Sequence, residues 1–239
     1  MRIQNYSLSG PVPKPYRIAL IADLHDVDGS GVLRSLQKEK PDIIAIAGDL
    51  TNNRSRRPVT FPEFLCSCAA VAPCFYSLGN HEFSFTDYEA KLVWDSGAVL
   101  LVDEYVKLDS LVIGGLCSRT RYSILAGKRV SIAPQLEWLS DFEAQPGYKI
   151  LLNHHPEYYE PYLKERSIDL VLSGHAHGGQ IRLFGRGLFA PGQGILPKYT
   201  KGVHDGRFVI SAGLANTARI VPRFGNPTEL VYIEIKPQT

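Results

Sequence analysis

Five apolar runs along this chain each end in a short cluster of Asp, Asn and His, and that recurrence limits the fold more than any other feature. The run 17–22 leads into Asp23 and His25, and the run 43–47 into Gly48 and Asp49. The run 74–78 leads into Gly79, Asn80, His81 and Glu82. The run 149–152 leads through Asn153 into His154, His155 and Pro156, and 169–173 into Gly174, His175 and His177. Between them lie helical patterns: one carries Val32, Leu33 and Leu36, and a second is opened by a Thr60–Glu63 capping box with Pro62. A third is opened by Thr86 and Glu89, and a fourth spans about 134–142. Further apolar runs at 99–102, 111–116, 208–211 and 230–235 read as strands. Strands alternating with helices predict an α/β layered fold, and with no repeat or linker in sight one domain over 1–239 is expected.

Composition excludes several classes. With 44% hydrophobic and 21% charged residues, the chain is neither disordered, collagen-like nor a coiled coil. At 239 residues it can bury roughly 70–75% of its unfolded surface and needs no staple. Lys plus Arg is 26 and Asp plus Glu 24, too even for a dedicated nucleic-acid binder, so no stable nucleic-acid partner is expected. No run reaches the roughly 18–20 apolar residues of a membrane span, and no charged leader precedes an apolar stretch at the start. Cys66 and Cys68, two apart on a helical pattern, face away from each other. Together with Cys74 and Cys117 they read as reduced, buried thiols of a cytoplasmic protein.

The polar clusters carry the chemistry. In layered α/β folds, sites form beyond the carboxyl ends of strands, where loops converge. On an extended chain residues i and i+2 face one way, so Asp23 with His25, and His175 with His177, can each reach a single ion. A donor set of two carboxylates, four imidazoles and one carboxamide, without a thiolate, suits Mn, Fe, Zn or Co. Seven ligands are too many for one small cation and fit two if a carboxylate bridges them. Two ions about 3.5–4 Å apart are the apparatus of phosphoryl transfer. A single such cluster reads more simply as core histidines and turn aspartates; five at five strand ends do not.

The series Asp23-x-His25, Gly48-Asp49, Gly79-Asn80-His81-Glu82, His154 and Gly174-His175-x-His177 resembles the calcineurin-like metallophosphoesterase superfamily, from about residue 17 to the C-terminus. The tail is similar to its bacterial YkuE/YaeI-like phosphoesterase branch in three places. These are the Gly174–Gln180 stretch, the segment from Pro191 to Gly202, and Gly213–Asn216 with Pro227–Glu229. The resemblance implies a four-layer α/β/β/α sandwich of two mixed sheets flanked by helices. It implies a first divalent metal on Asp23, His25 and His177, and a second on Asn80, His154 and His175. Asp49 would bridge them, with Mn²⁺ expected ahead of Fe, Zn or Co. It gives His81 the role of proton donor to the leaving oxygen, with a metal-bound hydroxide as nucleophile. Asn52, where the superfamily often has Asp three places after Asp49, and the missing Asp-Arg-Gly speak against the Ser/Thr protein phosphatase branch.

The implied function is a metal-dependent phosphoric ester hydrolase, a phosphodiesterase acting on a small-molecule or lipid-linked phosphoester. The alternatives are a pyrophosphatase on a nucleotide-sugar or lipid-linked diphosphate and, behind it, a non-catalytic metal-binding scaffold. His155 is expected to point away from the ions, His204 to be a solvated turn residue, and Arg54, Arg56 and Arg57 a solvated loop. The apolar segment 181–205 is expected to tuck into its own small core. Its exposed alternative, with Lys198 and Lys201 near anionic head groups, would give peripheral membrane contact. No protein partner is inferred.

Overall fold

The computed structural model describes residues 1–52, 61–123, 128–131, 133–216 and 222–238. Its first half runs β1 (Arg2–Gly10), β2 (Tyr16–Ile21), α1 (Ser30–Glu39), β3 (Ile43–Ala47), α2 (Phe61–Ala69), β4 (Cys74–Ser77), α3 (Asp87–Asp95) and β5 (Val99–Leu101). Strands β2 to β5 are parallel neighbours, as strands joined by helical crossovers are. Then β6 (Glu104–Leu108) turns back antiparallel onto β7 (Leu111–Leu116). After the ribbon of β8 (Thr120–Ser123) and β9 (Lys128–Ser131) come α4 (Leu139–Ala144), β10 (Tyr148–Asn153) and β11 (Leu170–Ser173). Two small ribbons follow, β12 (Arg182–Leu183) with β13 (Arg186–Gly187) and β14 (Phe189–Ala190) with β15 (Gly194–Ile195). Strands β16 (Gly202–His204), β17 (Phe208–Ile210) and β18 (Glu229–Pro237) end the chain.

The strands form two six-stranded mixed sheets, ordered β1-β18-β2-β3-β4-β5 and β16-β17-β11-β10-β7-β6. Period-two alternation sends Ile18 and Leu20 of β2 towards the other sheet, where they share a buried cluster with Ile113, Ile150 and Leu152. Ala19 and Ile21, one residue out of step, face Val32, Leu36 and Leu65 of α1 and α2. On the far side Leu151, Val171 and Phe208 pack with Leu139, Phe142 and Tyr159. These layers make the four-layer α/β/β/α sandwich, and burial on both faces explains why the parallel strands read as unbroken apolar runs.

The two sheets approach closely at Gly115, where an added Cβ would lie 2.5 Å from Leu101 Cβ and 2.7 Å from Leu101 O. Backbone cannot yield as a side-chain tip can, so Gly115→Ala is expected to cost about 1–3 kcal/mol, measured by chemical denaturation.

Several expectations need correction. The helix expected over 134–142 starts only at Leu139; the residues before it form turns, with Trp138 Nε1 bonded to Gln135 O. Strand β1 gave little sequence signal because its side chains alternate only between exposed and half-buried along a sheet edge. Segment 181–205 is not tucked: Phe184, Ile195 and Leu196 are exposed, and only Gly187, Ala190, Tyr199 and Thr200 are buried. Of the cysteines, all free, Cys66 is exposed and the other three are buried. The Thr86–Glu89 capping box is present, with Thr86 N donating to Glu89 Oε2 at 2.8 Å and Glu89 N to Thr86 Oγ1 at 3.3 Å. Thr60, Arg54, Arg56 and Arg57 lie outside the described residues. No helix among the described residues is long and apolar enough to cross a membrane.

Candidate metal centre

The carboxyl ends of β2, β3 and β4 in one sheet and of β10 and β11 in the other meet at one edge of the sandwich. Backbone bonds knit the loops there: Asp23 N donates to Gly48 O at 3.2 Å, His25 N to Asp49 O at 3.1 Å, and Gly174 N to His154 O at 3.3 Å. Asp23 and His25 converge in one group, though not through extended backbone, whereas His175 and His177, expected to reach one ion together, fall in different groups. Asp23, His25, Asp49, His175 and His177 all have left-handed φ, at 54°, 51°, 53°, 65° and 46°. Asp and His tolerate that region better than most residues, yet a run of such turns stores strain, and here it is concentrated where side chains must converge.

All eight singled-out residues come together. Asp49 Oδ2 lies 3.2 Å from His154 Nε2, 3.6 Å from His25 Nε2 and 3.9 Å from His81 Nε2. Asp23 Oδ1 lies 3.5 Å from His177 Nε2 and 3.8 Å from His25 Nε2. Asn80 Oδ1 is 3.1 Å from His154 Nε2. Asp23, His25 and His177 thus form one triad whose ligand atoms lie within 4.8 Å of one another, and Asp49, His154 and His175 form a second. Asp49 also groups with His25 and His81, so it stands between the two.

The donor set fits cations. Both ring nitrogens of His25 are buried without a hydrogen-bond partner, a costly arrangement that a metal ion would relieve at Nε2, which faces Asp23 and Asp49. Burial lowers His25 to about 3 and holds His175 well below its ordinary value, which leaves both imidazoles neutral, the form that ligates. Burial raises the Asp23 carboxyl. At Asp49 burial acts in the same direction, but His154 outweighs it and holds the carboxyl well below the usual range. His154 is correspondingly pushed up to about 10, Asp49 overcoming the lowering effect of burial. A cation held here would take the place of that proton on His154.

Around this group sits a shell that orients it. His154 Nδ1 lies 2.8 Å from Ala47 O, which leaves Nε2 for the centre. His175 N donates to the Asp23 carboxylate at 3.1 Å, and His81 N to Asp49 Oδ1 at 2.7 Å. Glycines clear the space: a Cβ on Gly79 would lie 2.3 Å from Asp49 Oδ1, and one on Gly174 2.7 Å from Asp23 Oδ2.

His155, expected to point away, instead groups with Glu157 and His175, their ligand atoms within 4.8 Å of one another, with its Nε2 2.6 Å from Ser118 Oγ and its Nδ1 3.0 Å from Glu157 Oε1. Its ring centroid lies 4.5 Å from that of His175. His204 is half-buried against Tyr199, outside both triads.

Three contributors were given no role by the sequence, although Glu82 stood in one of its motifs. Glu82 is buried and accepts from Asp49 N, Gly79 N and Thr51 N, with burial and then Asp49 pushing it up to about 7. Its signal was present, an acid three places after a glycine where a strand gives way to a helical turn. Glu157 lies 3.7 Å from His175 Nε2, and Arg223 Nη2 lies 3.3 Å from His177 Nδ1; neither sits in a pattern that spacing could pick out.

Residues 16–179 match the family model described as calcineurin-like phosphoesterase. The chain is 27% identical over 254 residues to an uncharacterised metallophosphoesterase of Aquifex aeolicus, covering 99% of this chain and 92% of that protein. It is 27% identical over 234 residues to one of Helicobacter pylori, of which it spans only 61% of the length, with 94% of this chain covered. A protein of Chlamydia muridarum named UDP-2,3-diacylglucosamine pyrophosphatase LpxG is 25% identical over 216 residues, covering 70% of this chain and 65% of that one.

Proposed function

The chain belongs to the calcineurin-like phosphoesterase family, and from that premise we propose that it is a dinuclear metal-dependent phosphohydrolase acting as a phosphodiesterase. The observation that carries the reading is Asp49, a buried carboxylate that groups with His154 and His175 on one side and with His25 of the other triad on the other, each triad drawing on both sheets. In this reading Asp23, His25 and His177 hold one ion, Asn80, His154 and His175 the other, and Asp49 bridges. Mn²⁺ is the ion expected first, ahead of Fe, Zn or Co. The Gly174–Gln180 stretch and the tail motifs support placement in the YkuE/YaeI-like branch.

When bound, two such ions supply Lewis acidity that makes a water nucleophilic near neutral pH and offsets charge on the phosphoryl oxygens. The chain's own contribution is order. The left-handed turns and the Ala47 carbonyl fix the imidazoles before substrate arrives, so little reorganisation remains for the reaction. His81 is held by its own backbone N–H on Asp49, with its ring edge-on to His25 at 4.4 Å and its side chain 16% exposed. That position at the mouth of the site suits it to donate a proton to the departing oxygen.

His81→Ala is accordingly expected to keep its metal content and lose about 10²–10⁴-fold in turnover of an alkyl diester. The loss should shrink for a nitrophenyl diester, whose leaving group needs no proton; equal losses on both would remove the proton-donor role.

The overall reading is tested by stripping with chelator, refilling with Mn²⁺, and offering an aryl diester, the aryl monoester and a nucleotide-sugar diphosphate, with Asp49→Asn as control. Metal-dependent diester cleavage absent from the control is the expected result. Less than one bound metal per chain with silence on every ester would overturn it. The Chlamydia relative's name favours one second reading, a pyrophosphatase on a nucleotide-sugar or lipid-linked diphosphate. Preferential cleavage of the diphosphate would select it.

A further inference from the structure

Between Ile181 and His204 the sequence holds Arg182, Arg186, Lys198 and Lys201 and no Asp or Glu. The same segment carries Phe184, Ile195 and Leu196, with relative solvent exposures of 105%, 83% and 67%. Single exposed apolar residues are ordinary, but a concentration of them on one basic segment marks an interaction surface.

The local backbone strengthens the point. Phe184 and Gly185 are the two-residue turn between β12 and β13, at φ 49° and 80°. Such a turn is served best by Asn or Asp before Gly, whose short side chains tolerate left-handed backbone. A bulky Phe there gains nothing from the turn and buries nothing in the protein. Leu196 is likewise held at φ 51° with its side chain outward.

Beside these tips lies a cleft of about 380 Å³ lined by Arg182, Arg186, Lys198, Lys201, His204 and Leu196, among others. Lys198 is paired with Glu160 at 2.6 Å and Lys201 with the buried Glu229. Arg182 donates to the neutral oxygens of Gly178, Thr200 and Gly185, and the carboxylate that acts on it, Glu229, is already paired with Lys201. Arg186 is exposed at the end of its ribbon. The segment also borders the metal centre: Gly178 follows His177, and a Cβ on Gly192 would meet Glu157, the neighbour of His175.

We propose that this face docks on an anionic lipid bilayer, with Phe184, Ile195 and Leu196 entering the acyl boundary and Arg182 and Arg186 meeting lipid phosphates. Apolar tips ringed by basic side chains are the chemistry that such an interface selects, since burial supplies adhesion and charge supplies preference for anionic lipid. A second copy of the chain would repeat the same positive charge across the contact, which disfavours it as the occupant. The inference goes beyond the hydrolase reading and does not depend on it, because binding is read without turnover.

The test is flotation of the protein with phosphatidylcholine vesicles, with and without phosphatidylglycerol, at low and high salt. Wild type is expected to float with phosphatidylglycerol vesicles and to be released by salt. The double variant Phe184→Ser/Ile195→Ser should bind about tenfold more weakly or worse. Arg186→Glu should weaken binding about fivefold or more. Both variants should keep the wild-type melting temperature and metal content, since none of these side chains is packed in the core. Absence of wild-type binding to the anionic vesicles, equal binding to both compositions, or undiminished binding by the double variant would each overturn the proposal. So would a wild-type dimer in sedimentation that the double variant dissolves.

Discussion

Asp49→Asn is expected to lower metal-dependent hydrolysis by roughly 10²–10³-fold or more while leaving the apo fold intact. Asn is the same size, and its carbonyl oxygen can keep the bond from His81 N, 2.7 Å long in the structure. What it loses is the negative charge that faces His154, His25 and His81 at 3.2, 3.6 and 3.9 Å. Each 1.4 kcal/mol of lost transition-state stabilisation is about tenfold in rate, so the expected loss corresponds to about 3–4 kcal/mol of charge stabilisation at the centre. Metal analysis should show fewer than two ions per chain, and the thermal stabilisation that Mn²⁺ gives wild type should fall with the lost affinity.

The apo protein gives a second readout of the same substitution. In wild type His154 stands at about 10, Asp49 having overcome burial, against an ordinary 6.5. A raised folded-state pKa stabilises fully below about 6.5, and the contribution is lost as pH rises towards 10. Asp49→Asn should flatten that part of the stability profile. Near wild-type hydrolysis with two metals retained would sink the bridging assignment.

Glu82→Ala is expected to be the most damaging substitution outside the ligands, costing roughly 3–6 kcal/mol of the ~5–15 kcal/mol typical of a domain. Its Oε2 accepts from Asp49 N at 2.9 Å and Gly79 N at 2.7 Å, and its Oε1 from Thr51 N at 3.0 Å. Truncation leaves these amides without an acceptor beneath the site. Glu82→Gln does not rescue it, because one end of the carboxamide presents N–H to N–H. Both variants should therefore show a lower denaturation midpoint without metal, and metal affinity reduced about 10–100-fold as Asp49 loses its anchor. A wild-type midpoint in Glu82→Gln would mean that the carboxylate is not what holds these two loops.

The parts of this fold legible in the sequence are those where local pattern and tertiary role coincide. Strands β2, β3, β10 and β11 are buried on both faces and announce themselves as apolar runs, and the Asp, Asn and His residues beyond them stand out against that background. The Thr86–Glu89 box is equally local. Strand β1 was silent because its identity rests on pairing with β18 at the far end of the chain, Arg2 opposite Glu229. Its half-exposed residues could as well have been a loop.

The candidate site divides in the same way. Residue type and order along the chain were enough to nominate Asp23, His25, Asp49, Asn80, His81, His154, His175 and His177, because ligand chemistry demands those side chains whatever the backbone does. Their approach to one another was not in the sequence. Asp23 and His25 meet through left-handed turns rather than extended strand, His175 and His177 part to different triads, and each triad closes only because two sheets present their carboxyl ends at one edge. The roles of Glu82, Glu157 and Arg223 became visible only there. Whether segment 181–205 folds inward was also beyond the sequence, since an apolar side chain carries the same hydropathy in a core or on a tip. Composition and order determine which groups a chain can offer; only packing in three dimensions decides which of them are brought within a few ångströms and which are left facing solvent.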